Sequence, residues 1–281
     1  MLCRSLPIRP RSRSLPFAAV LAAALLVAGQ APAKALDVYA GAEDHYAGSQ
    51  IAKVEGVEAV PGLVYGGSDQ QLGHDVSGHQ GPVDWPGAAG AGAKFVYIKA
   101  TEGTGFVNPQ FAQQYNGSYN AGLIRGAYHF ARPDVSDGAS QARYFLAHGG
   151  GWSADGKTLP GALDAEYNPY GETCYGKDAA GMVAWIRDFS DTYRAATGRF
   201  PTIYTSTSWW KRCTANNGGF GGNPLWIARY NTFIGELPSG WSVHTIWQFA
   251  DRGTLPGDQN WFNGGADRLL ALALGRPAAV Q

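Results

Sequence analysis

From Leu72 onward, short β-like runs alternate with helical stretches, and few folds accommodate such an alternation. Eight runs have the composition of strands, the last of them weakly: 72–77, 94–100, 124–130, 160–167, 201–206, 224–230, 243–249 and 259–262. Helical patterns lie at 85–91, 109–121, 136–148, 178–196, 208–213 and 268–274. Strands that alternate with helices are typical of a parallel sheet.

This pattern predicts the α/β class and, within it, an irregular TIM-like β/α barrel with eight strands and fewer outer helices. The late strands leave little room for full helices, so we expect the irregularity in the last third. The competing fold is a doubly wound open sheet. That fold normally carries a glycine-rich phosphate turn after its first strand, and the sequence has none there.

The first 35 residues have the pattern of a secretory signal peptide. Four arginines precede an apolar run over 17–28, and the small-x-small triplet 33–35 follows. About a dozen apolar residues are too few to span a bilayer as a helix, which favours export and cleavage over anchoring. We therefore expect cleavage near Ala35 and a secreted, extracellular protein with no membrane association.

Three further segments complete the predicted organisation. Residues 36–72 are rich in Gly, Ala, Ser and acidic residues without a sustained period, and are interpreted as a pro-segment or flexible N-terminal arm that could hold a local helix around 51–57. The catalytic barrel is expected over 73–275, and 276–281 form a tail.

The charge of the chain argues against nucleic acid as a partner. The chain has 22 basic and 22 acidic residues, and the leader takes five basic and no acidic ones with it. The remainder, with 17 basic and 22 acidic residues, carries about −5 and has no basic cluster. Nucleic acids and anionic membranes both select clustered Lys and Arg.

Cysteine usage agrees with export. After loss of the leader only Cys174 and Cys213 remain, and in an oxidising compartment two cysteines most simply form one disulfide. The alternative is a nucleophilic or metal-binding thiol. Neither cysteine has a Cys-x-x-Cys or nearby histidine partner that would favour it.

Charged and aromatic polar residues fall where the predicted strands end. They are Asp75, Lys99, Glu102, Tyr128, His129, Asp164, Glu166 and Tyr204. The strand C-termini of a β/α barrel meet at one face, which holds the active site. Because strand side chains alternate, Asp164 and Glu166 should point to the same side, with Asp75 nearby. Such crowding should make at least one carboxyl group bind its proton more tightly.

A glycosidase uses a carboxylic acid beside a carboxylate. The acid protonates the leaving oxygen, and the carboxylate stabilises positive charge at the sugar. Alternatively, the acids are held in ordinary ion pairs with Lys99 or Arg229. The histidines lack metal-ligand spacing, so no metal or other cofactor is expected, with His74 and His79 kept open as residues near the site. Tryptophans such as Trp226 could stack on sugar rings.

The motifs occur in an order that resembles glycoside hydrolase family 25, the Chalaropsis-type lysozymes. They are DVSGHQG (75–81), FVYIKATEG (95–103), GAYHFARP (126–133), LDAEYNP (163–169), IYTS (203–206), LWIARY (225–230), IWQF (246–249) and GDQNWFNG (257–264). The sequences around the two cysteines, TCYG at Cys174 and SWWKRCT at Cys213, resemble this family as well. The resemblance covers about 72–275. The sequence departs from the family pattern at Gly78-His79-Gln80, where an aromatic is usual, and at Ala165, where a β-branched residue is more frequent.

The resemblance implies hydrolysis of the β-1,4 bond between N-acetylmuramic acid and N-acetylglucosamine in peptidoglycan, with net retention. Glu166 would be the general acid and base, and Asp164 would stabilise the substrate's acetamido nucleophile or the oxocarbenium charge. Asp75 and Asp258 would complete the catalytic acids. Expected substrate-binding residues are Tyr128, Lys99, Glu102, Tyr204, Trp226 and Gln248.

Three alternatives remain open from the sequence. Direct attack by an aspartate competes with the acetamido route, and a chitinase-like hydrolase and a catalytically silent wall-binding barrel compete with the muramidase. The expected partner is the glycan strand of bacterial peptidoglycan, and the expected oligomeric state is a monomer.

Overall fold

A computed structural model of the chain describes residues 1–2, 45–58, 67 and 69–276. Most of the predicted signal peptide, part of the 36–72 segment and most of the predicted tail lie outside these described residues. The chain divides into two units, 1–37 and 38–281, and every helix and strand named below belongs to the second.

The described residues form one sheet that closes into a barrel. Its strands are β1 (Gln71–Val76), β2 (Phe95–Glu102), β3 (Phe106–Val107), β4 (Ile124–Phe130), β5 (Ala162–Asp164), β6 (Thr202–Thr205), β7 (Leu225–Ala228), β8 (Ile246–Ala250) and β9 (Asp258–Phe262). The order is β1-β9-β8-β7-β6-β5-β4-β2-β3, and β1 also pairs with β2. Eight strands therefore close the barrel, and the short β3 forms a hairpin on β2. The predicted eight-stranded irregular barrel is confirmed.

One strand departs from the parallel arrangement. Strand β9 runs antiparallel to both of its neighbours, β8 and β1. The connection from Ala250 to Asp258 is too short for a crossover, which takes a dozen residues or more, so the chain turns straight back. This reversal places Asp258 directly opposite Asp75 in the register of β1 and β9.

The described helices are α1 (Ser49–Glu55), α2 (Trp85–Gly90), α3 (Phe111–Asn120), α4 (Gly138–Ala147), α5 (Ala179–Thr197), α6 (Thr207–Thr214) and α7 (Ala266–Ala273), with a 3-10 turn at Gly78–Gln80. Within the described residues, no helix separates β7 from β8 or β8 from β9, as the spacing predicted. None of the described helices is both long and apolar enough to cross a membrane.

Helix α5 shows why the sequence forms this element so clearly. The Asp178 side chain accepts a hydrogen bond from the Gly181 N–H at 2.7 Å, and Gly198 ends the helix in the left-handed region at φ 73°. Its apolar stripe is buried against the barrel: Met182, Trp185, Ile186, Phe189 and Tyr193. The helix therefore covers one flank of the sheet that carries the acidic residues.

A disulfide joins Cys174, in the connection that follows β5, to Cys213 in α6, with Cα atoms 5.4 Å apart. The predicted pairing is confirmed. The bridge ties the connection that begins with Glu166 to the outer layer of the barrel.

Candidate active site

Four carboxyl groups meet at the end of the barrel where the parallel strands terminate. Asp75 lies on β1, Asp258 begins β9 opposite it, and Asp164 ends β5. Glu166 follows two residues later. All four are buried, with exposed fractions between 0 and 3%. The structure thus brings together the four acids predicted from the sequence.

Strand β5 is shorter than predicted, so Glu166 lies just beyond it and not within it. The ladder ends because Asp164 pairs with Phe130, the last residue of β4, and no strand continues beside Glu166 on that side. The two carboxyl groups still interact electrostatically: after burial, the charge of Glu166 is the next cause that raises the pKa of Asp164.

Two side-chain amides hold Asp75. Its Oδ2 accepts hydrogen bonds from Gln248 Nε2 at 2.9 Å and from Asn260 Nδ2 at 2.7 Å. Gln248 and Asn260 are paired across β8 and β9, so the sheet register sets both donors. Burial raises the pKa of Asp75 to about 7 even though these donors oppose the shift.

Asp164 lacks such support, and so does one oxygen of Asp258. Within the described part of the chain, both oxygens of Asp164 lack a hydrogen-bond partner. The Oδ2 of Asp258 lacks one as well. Burial, followed by the charge of Glu166, raises the pKa of Asp164 well above its usual range; burial and the charge of Asp75 do the same for Asp258. The expectation that crowding would favour protonated carboxyl groups agrees with these shifts.

Glu166 is bound by the backbone of residues far away in the sequence. Its Oε1 accepts a hydrogen bond from the Gly48 N–H at 2.7 Å. Its Oε2 accepts from the N–H groups of Gln50 at 3.1 Å and Ile51 at 3.0 Å. Burial raises the pKa of Glu166 to about 8, and these three donors oppose that shift.

Lys99 and Glu102 form a separate charged pair at the edge of the cluster. The Lys99 Nζ lies 2.7 Å from Glu102 Oε2, and Arg132 lies 4.0 Å from Oε1. Although burial opposes ionisation, the charge of Lys99 and hydrogen bonds from His45, Lys99 and Tyr170 lower the pKa of Glu102 to about 2. The ion-pair interpretation therefore holds for Glu102. Among the described residues it does not extend to Asp75, Asp164, Glu166 or Asp258, which form no ion pair.

Tyrosine hydroxyls fix the orientation of Gln248. The hydroxyls of Tyr204 and Tyr230 both donate to Gln248 Oε1 at 2.7 Å, which leaves its Nε2 to donate to Asp75. Tyr128 is fully buried in the same region, and its hydroxyl accepts from the Ala47 N–H at 3.3 Å. Three predicted binding residues, Tyr128, Tyr204 and Gln248, therefore reach the site directly.

Trp226 is placed differently. It is fully buried, stacks on Tyr97 with ring centroids 4.8 Å apart, and donates its N–H to Asn260 Oδ1 at 2.7 Å. It also contacts the rings of Tyr128 and Tyr204 edge-on. Its position supports those two tyrosines from within the barrel and presents no open face to a sugar.

The histidines kept open by the sequence do not enter the acidic cluster. His74, next to Asp75 on β1, points to the other side of the strand, contacts Trp85 and bonds to the Pro256 carbonyl at 2.6 Å. His79 is exposed and lies against Tyr46. In the described part of the chain, no three His, Cys, Asp or Glu side chains are grouped so that they could hold a metal ion.

Several residues of the site were not predicted from the sequence. Asn260 lies two positions after Asp258 on β9, so the alternation rule used for Asp164 and Glu166 would have found it. Tyr170 and Arg132 reach Glu102 from irregular connections, for which the sequence holds no periodic signal. The backbone donors Gly48, Gln50 and Ile51 have no side-chain signature at all.

A β/α barrel with acidic side chains gathered at the ends of its parallel strands is the architecture of many glycoside hydrolases. The family model of glycosyl hydrolases family 25 matches residues 74–258, more than half of the chain. This chain belongs to glycosyl hydrolases family 25 and is a glycoside hydrolase.

Individual relatives that are named muramidase or lysozyme support this family assignment. The N,O-diacetylmuramidase of Chalaropsis sp is 52% identical over 208 residues, covering 72% of this chain and 99% of the relative. Lysozyme M1 of Streptomyces globisporus is 49% identical, covering 72% of this chain and 70% of the relative. The solved structure of a muramidase from Acremonium alcalophilum is 56% identical with a TM-score of 0.72, covering 73% of this chain and 99% of that one.

Proposed function

We propose that this chain is a secreted 1,4-β-N-acetylmuramidase that hydrolyses the bond between N-acetylmuramic acid and N-acetylglucosamine in bacterial peptidoglycan. The observation that carries the proposal is the buried cluster of Asp75, Asp164, Glu166 and Asp258 at the strand ends of a family 25 barrel. Relatives that bear the names muramidase and lysozyme at about half identity support the choice of substrate.

Glu166 is the proposed general acid. A carboxyl group whose pKa lies near or above neutrality holds its proton until the leaving oxygen needs it; with residues 45–58 in place, burial raises the pKa of Glu166 to about 8. After departure of the leaving sugar, the same carboxylate takes a proton from water. Glu166 therefore serves in turn as acid and as base.

Asp164 is the proposed partner that stabilises the reacting sugar. Both of its oxygens are buried and, among the described residues, without a hydrogen-bond donor, so they are available to a donor from the substrate. The N–H of a 2-acetamido group is such a donor. Orienting that group lets its oxygen attack the anomeric carbon, a route with net retention.

Asp75 acts electrostatically on Asp164, and Asp258 lies opposite Asp75 across β1 and β9. Asp75 raises the pKa of Asp164 and of Asp258 through its charge, and Gln248 and Asn260 hold it in place. Tyr128, Tyr204 and Gln248 place buried hydroxyl and amide groups beside the acidic cluster, and Lys99 with Glu102 borders it. These residues would bind the hydroxyl and acetamido groups of the glycan.

The first experiment identifies the new sugar end. Peptidoglycan is digested, and the released fragments are reduced with borohydride and weighed by mass spectrometry. We expect reduced N-acetylmuramic acid. Reduced N-acetylglucosamine would indicate a different glycosidase on this barrel, and binding without release would indicate a silent wall-binding protein.

The first prediction concerns Glu166. Glu166→Gln keeps the shape and removes the titratable proton, so turnover should fall by at least about a hundredfold, the contribution of general acid catalysis. Glu172→Gln is the matched control, because Glu172 is exposed in the same connection. Retained activity in Glu166→Gln, with circular dichroism unchanged, would refute the assignment.

We also propose export with cleavage near Ala35 and a monomeric state. The leader pattern over 1–35 and the disulfide between Cys174 and Cys213 support export. N-terminal sequencing of the protein from culture medium, and its mass by light scattering, test the two proposals.

A further inference from the structure

Residues 45–58, called here the covering segment, lie across the acidic cluster. The segment includes α1, whose first turn faces Glu166, and it precedes the family match, which begins at residue 74. Ala47 and Ile51 are buried at 0 and 1% exposure, and His45 at 8%. The segment is therefore seated in the site and not merely near it.

The covering segment uses the hydrogen-bonding capacity of the proposed catalytic acid. Both carboxylate oxygens of Glu166 accept backbone N–H groups of the segment, at 2.7 to 3.1 Å. A leaving oxygen must approach one of these oxygens within hydrogen-bond reach to be protonated. Glu166 cannot reach a substrate while the segment is bound.

The segment also occupies the neighbouring binding groups. The Ala47 carbonyl accepts from Gln248 Nε2 at 3.0 Å, and the His45 carbonyl accepts from Lys99 Nζ at 2.5 Å. The peptide amide resembles the acetamido group of an amino sugar in its donor and acceptor. The segment thus satisfies side chains that we assign to sugar binding.

Contacts at the other end of the covering segment fix it to the barrel. Glu55 accepts hydrogen bonds from the hydroxyls of Tyr167, at 2.9 Å, and Ser206. The Glu58 N–H donates to the Tyr230 carbonyl at 2.9 Å, and the Glu58 carboxylate accepts from Asn231 Nδ2 at 2.6 Å. These contacts hold the C-terminal end of the segment without involving the acidic cluster.

The fit is closest at Gly48. Its φ of 96° is unfavourable for other residues, and a Cβ there would lie 1.8 Å from the Tyr230 hydroxyl and 2.7 Å from Gln248 Oε1. Only glycine lets the backbone approach these two groups and Glu166 together.

The family match does not include this part of the chain. The muramidase structure from Acremonium alcalophilum is matched over 99% of its length by 73% of this chain, and the Chalaropsis relative over 99% by 72%. The family match is therefore confined to the barrel, and the covering segment lies ahead of it.

We propose that the covering segment is an autoinhibitory pro-segment, and that cleavage of the chain between Glu58 and β1 by an external endopeptidase releases it and opens the site. The inference rests on the proposed function of that site. The activating step is hydrolysis of one peptide bond by water, which leaves a new carboxylate on the segment and a new amine on the barrel. Cleavage makes docking intermolecular, so the segment loses its high effective concentration and dissociates on dilution.

The main test uses the full chain with a recognition sequence for a site-specific protease inserted between Glu58 and Gly67. Release of reduced fragments from peptidoglycan is measured before and after cleavage. We expect an increase of at least about tenfold, set by the lost effective concentration. Equal and substantial activity of the intact and cleaved chains would overturn the proposal.

A pair of glycine variants tests the docking without any cleavage. Gly48→Ala should raise the activity of the intact chain, because the added Cβ meets Tyr230 and Gln248. Gly56→Ala is the matched control, since Gly56 also has a positive φ, 82°, but nothing lies within 4 Å of its added Cβ. Equal activity of Gly48→Ala and Gly56→Ala would count against inhibition.

A binding measurement separates this proposal from the proposed function. A synthetic peptide of residues 45–58 is titrated into the cleaved, purified barrel by calorimetry and then displaced with a soluble N-acetylglucosamine oligosaccharide. If neither form of the chain hydrolyses peptidoglycan, the muramidase assignment fails, yet binding and displacement would still support a segment that blocks the sugar site. Absence of peptide binding would overturn the inhibition in either case.

Discussion

At the scale of single residues, the site depends on which carboxyl groups receive donors. Asp75 has two amide donors and Glu166 has three backbone donors, whereas Asp164 has none among the described residues. Burying an ionised carboxylate without hydrogen-bond donors raises its free energy. The protonated form of Asp164 is therefore lower in free energy until a substrate supplies a donor. This contrast makes Asp164 the carboxyl group whose state depends most on the substrate.

Residues that face away from the cluster also respond to pH. His129, on β4 beside Tyr128, is fully buried and bonds to Thr101 at 2.7 Å and to Gln141 at 2.9 Å. Burial lowers the pKa of His129 to about 4, from an ordinary value near 6.5. The folded state therefore binds fewer protons than the unfolded chain between these two values.

We predict that this histidine makes the chain less stable in acid. Its contribution to the free energy of unfolding is complete above pH 6.5 and is lost as pH falls toward 4, by about 3 kcal/mol at most. Urea denaturation at a series of pH values should show a flatter dependence for His129→Gln than for the unsubstituted chain. His148→Gln, at a half-buried position, is the control; identical slopes in all three proteins would contradict the prediction.

At the scale of elements, the connection after β5 carries much of the site. It begins with Glu166 and holds Tyr167, which contacts Glu55, and Tyr170, which contacts Glu102. It has little regular secondary structure before α5, so its shape depends on side-chain contacts and on the disulfide from Cys174 to Cys213.

Replacing both cysteines with serine should therefore lower the free energy of unfolding by about 2–4 kcal/mol, because the unfolded chain regains the entropy of the closed loop. Chemical denaturation with and without a thiol reductant is the measurement. The reductant should destabilise the unsubstituted chain and leave the double variant unchanged. A double variant as stable as the oxidised parent would show that the connection does not need the bridge.

At the scale of the whole molecule, the covering segment and the barrel complete each other's hydrogen bonding. The barrel offers buried carboxylate and amide groups, and the segment offers backbone N–H and carbonyl groups that lie ahead of or within the first turn of α1. A helix shorter than eight residues, such as α1, is marginal alone in water, so its order depends on the barrel.

We predict that opening the chain between Glu58 and Gly67 lowers its melting temperature, because docking stabilises only the folded barrel. Differential scanning calorimetry of the cleaved chain should show recovery of the melting temperature when the 45–58 peptide is added in excess. The same peptide carrying Gly48→Ala should restore less. An unchanged melting temperature after cleavage and separation would mean that the docking adds no stability.

Local sequence determined most of the secondary structure and the composition of the acidic cluster. Helix α5 was predictable from its cap residues and apolar stripe, and the common side of Asp164 and Glu166 from strand alternation, because these are properties of neighbouring residues. The barrel was predictable because short strands alternating with helices have few ways to bury both faces of a sheet.

The reversal of β9, the enclosure of Trp226 and the docking of residues 45–58 follow from tertiary packing and have no local sequence signal. Each depends on groups distant along the chain: the Gly48 N–H and the Glu166 carboxylate are 118 positions apart. A backbone N–H has the same chemistry in every residue except proline, so no sequence pattern marks which N–H groups will bind a catalytic acid. Their partner is chosen by the packing of the whole barrel around the segment.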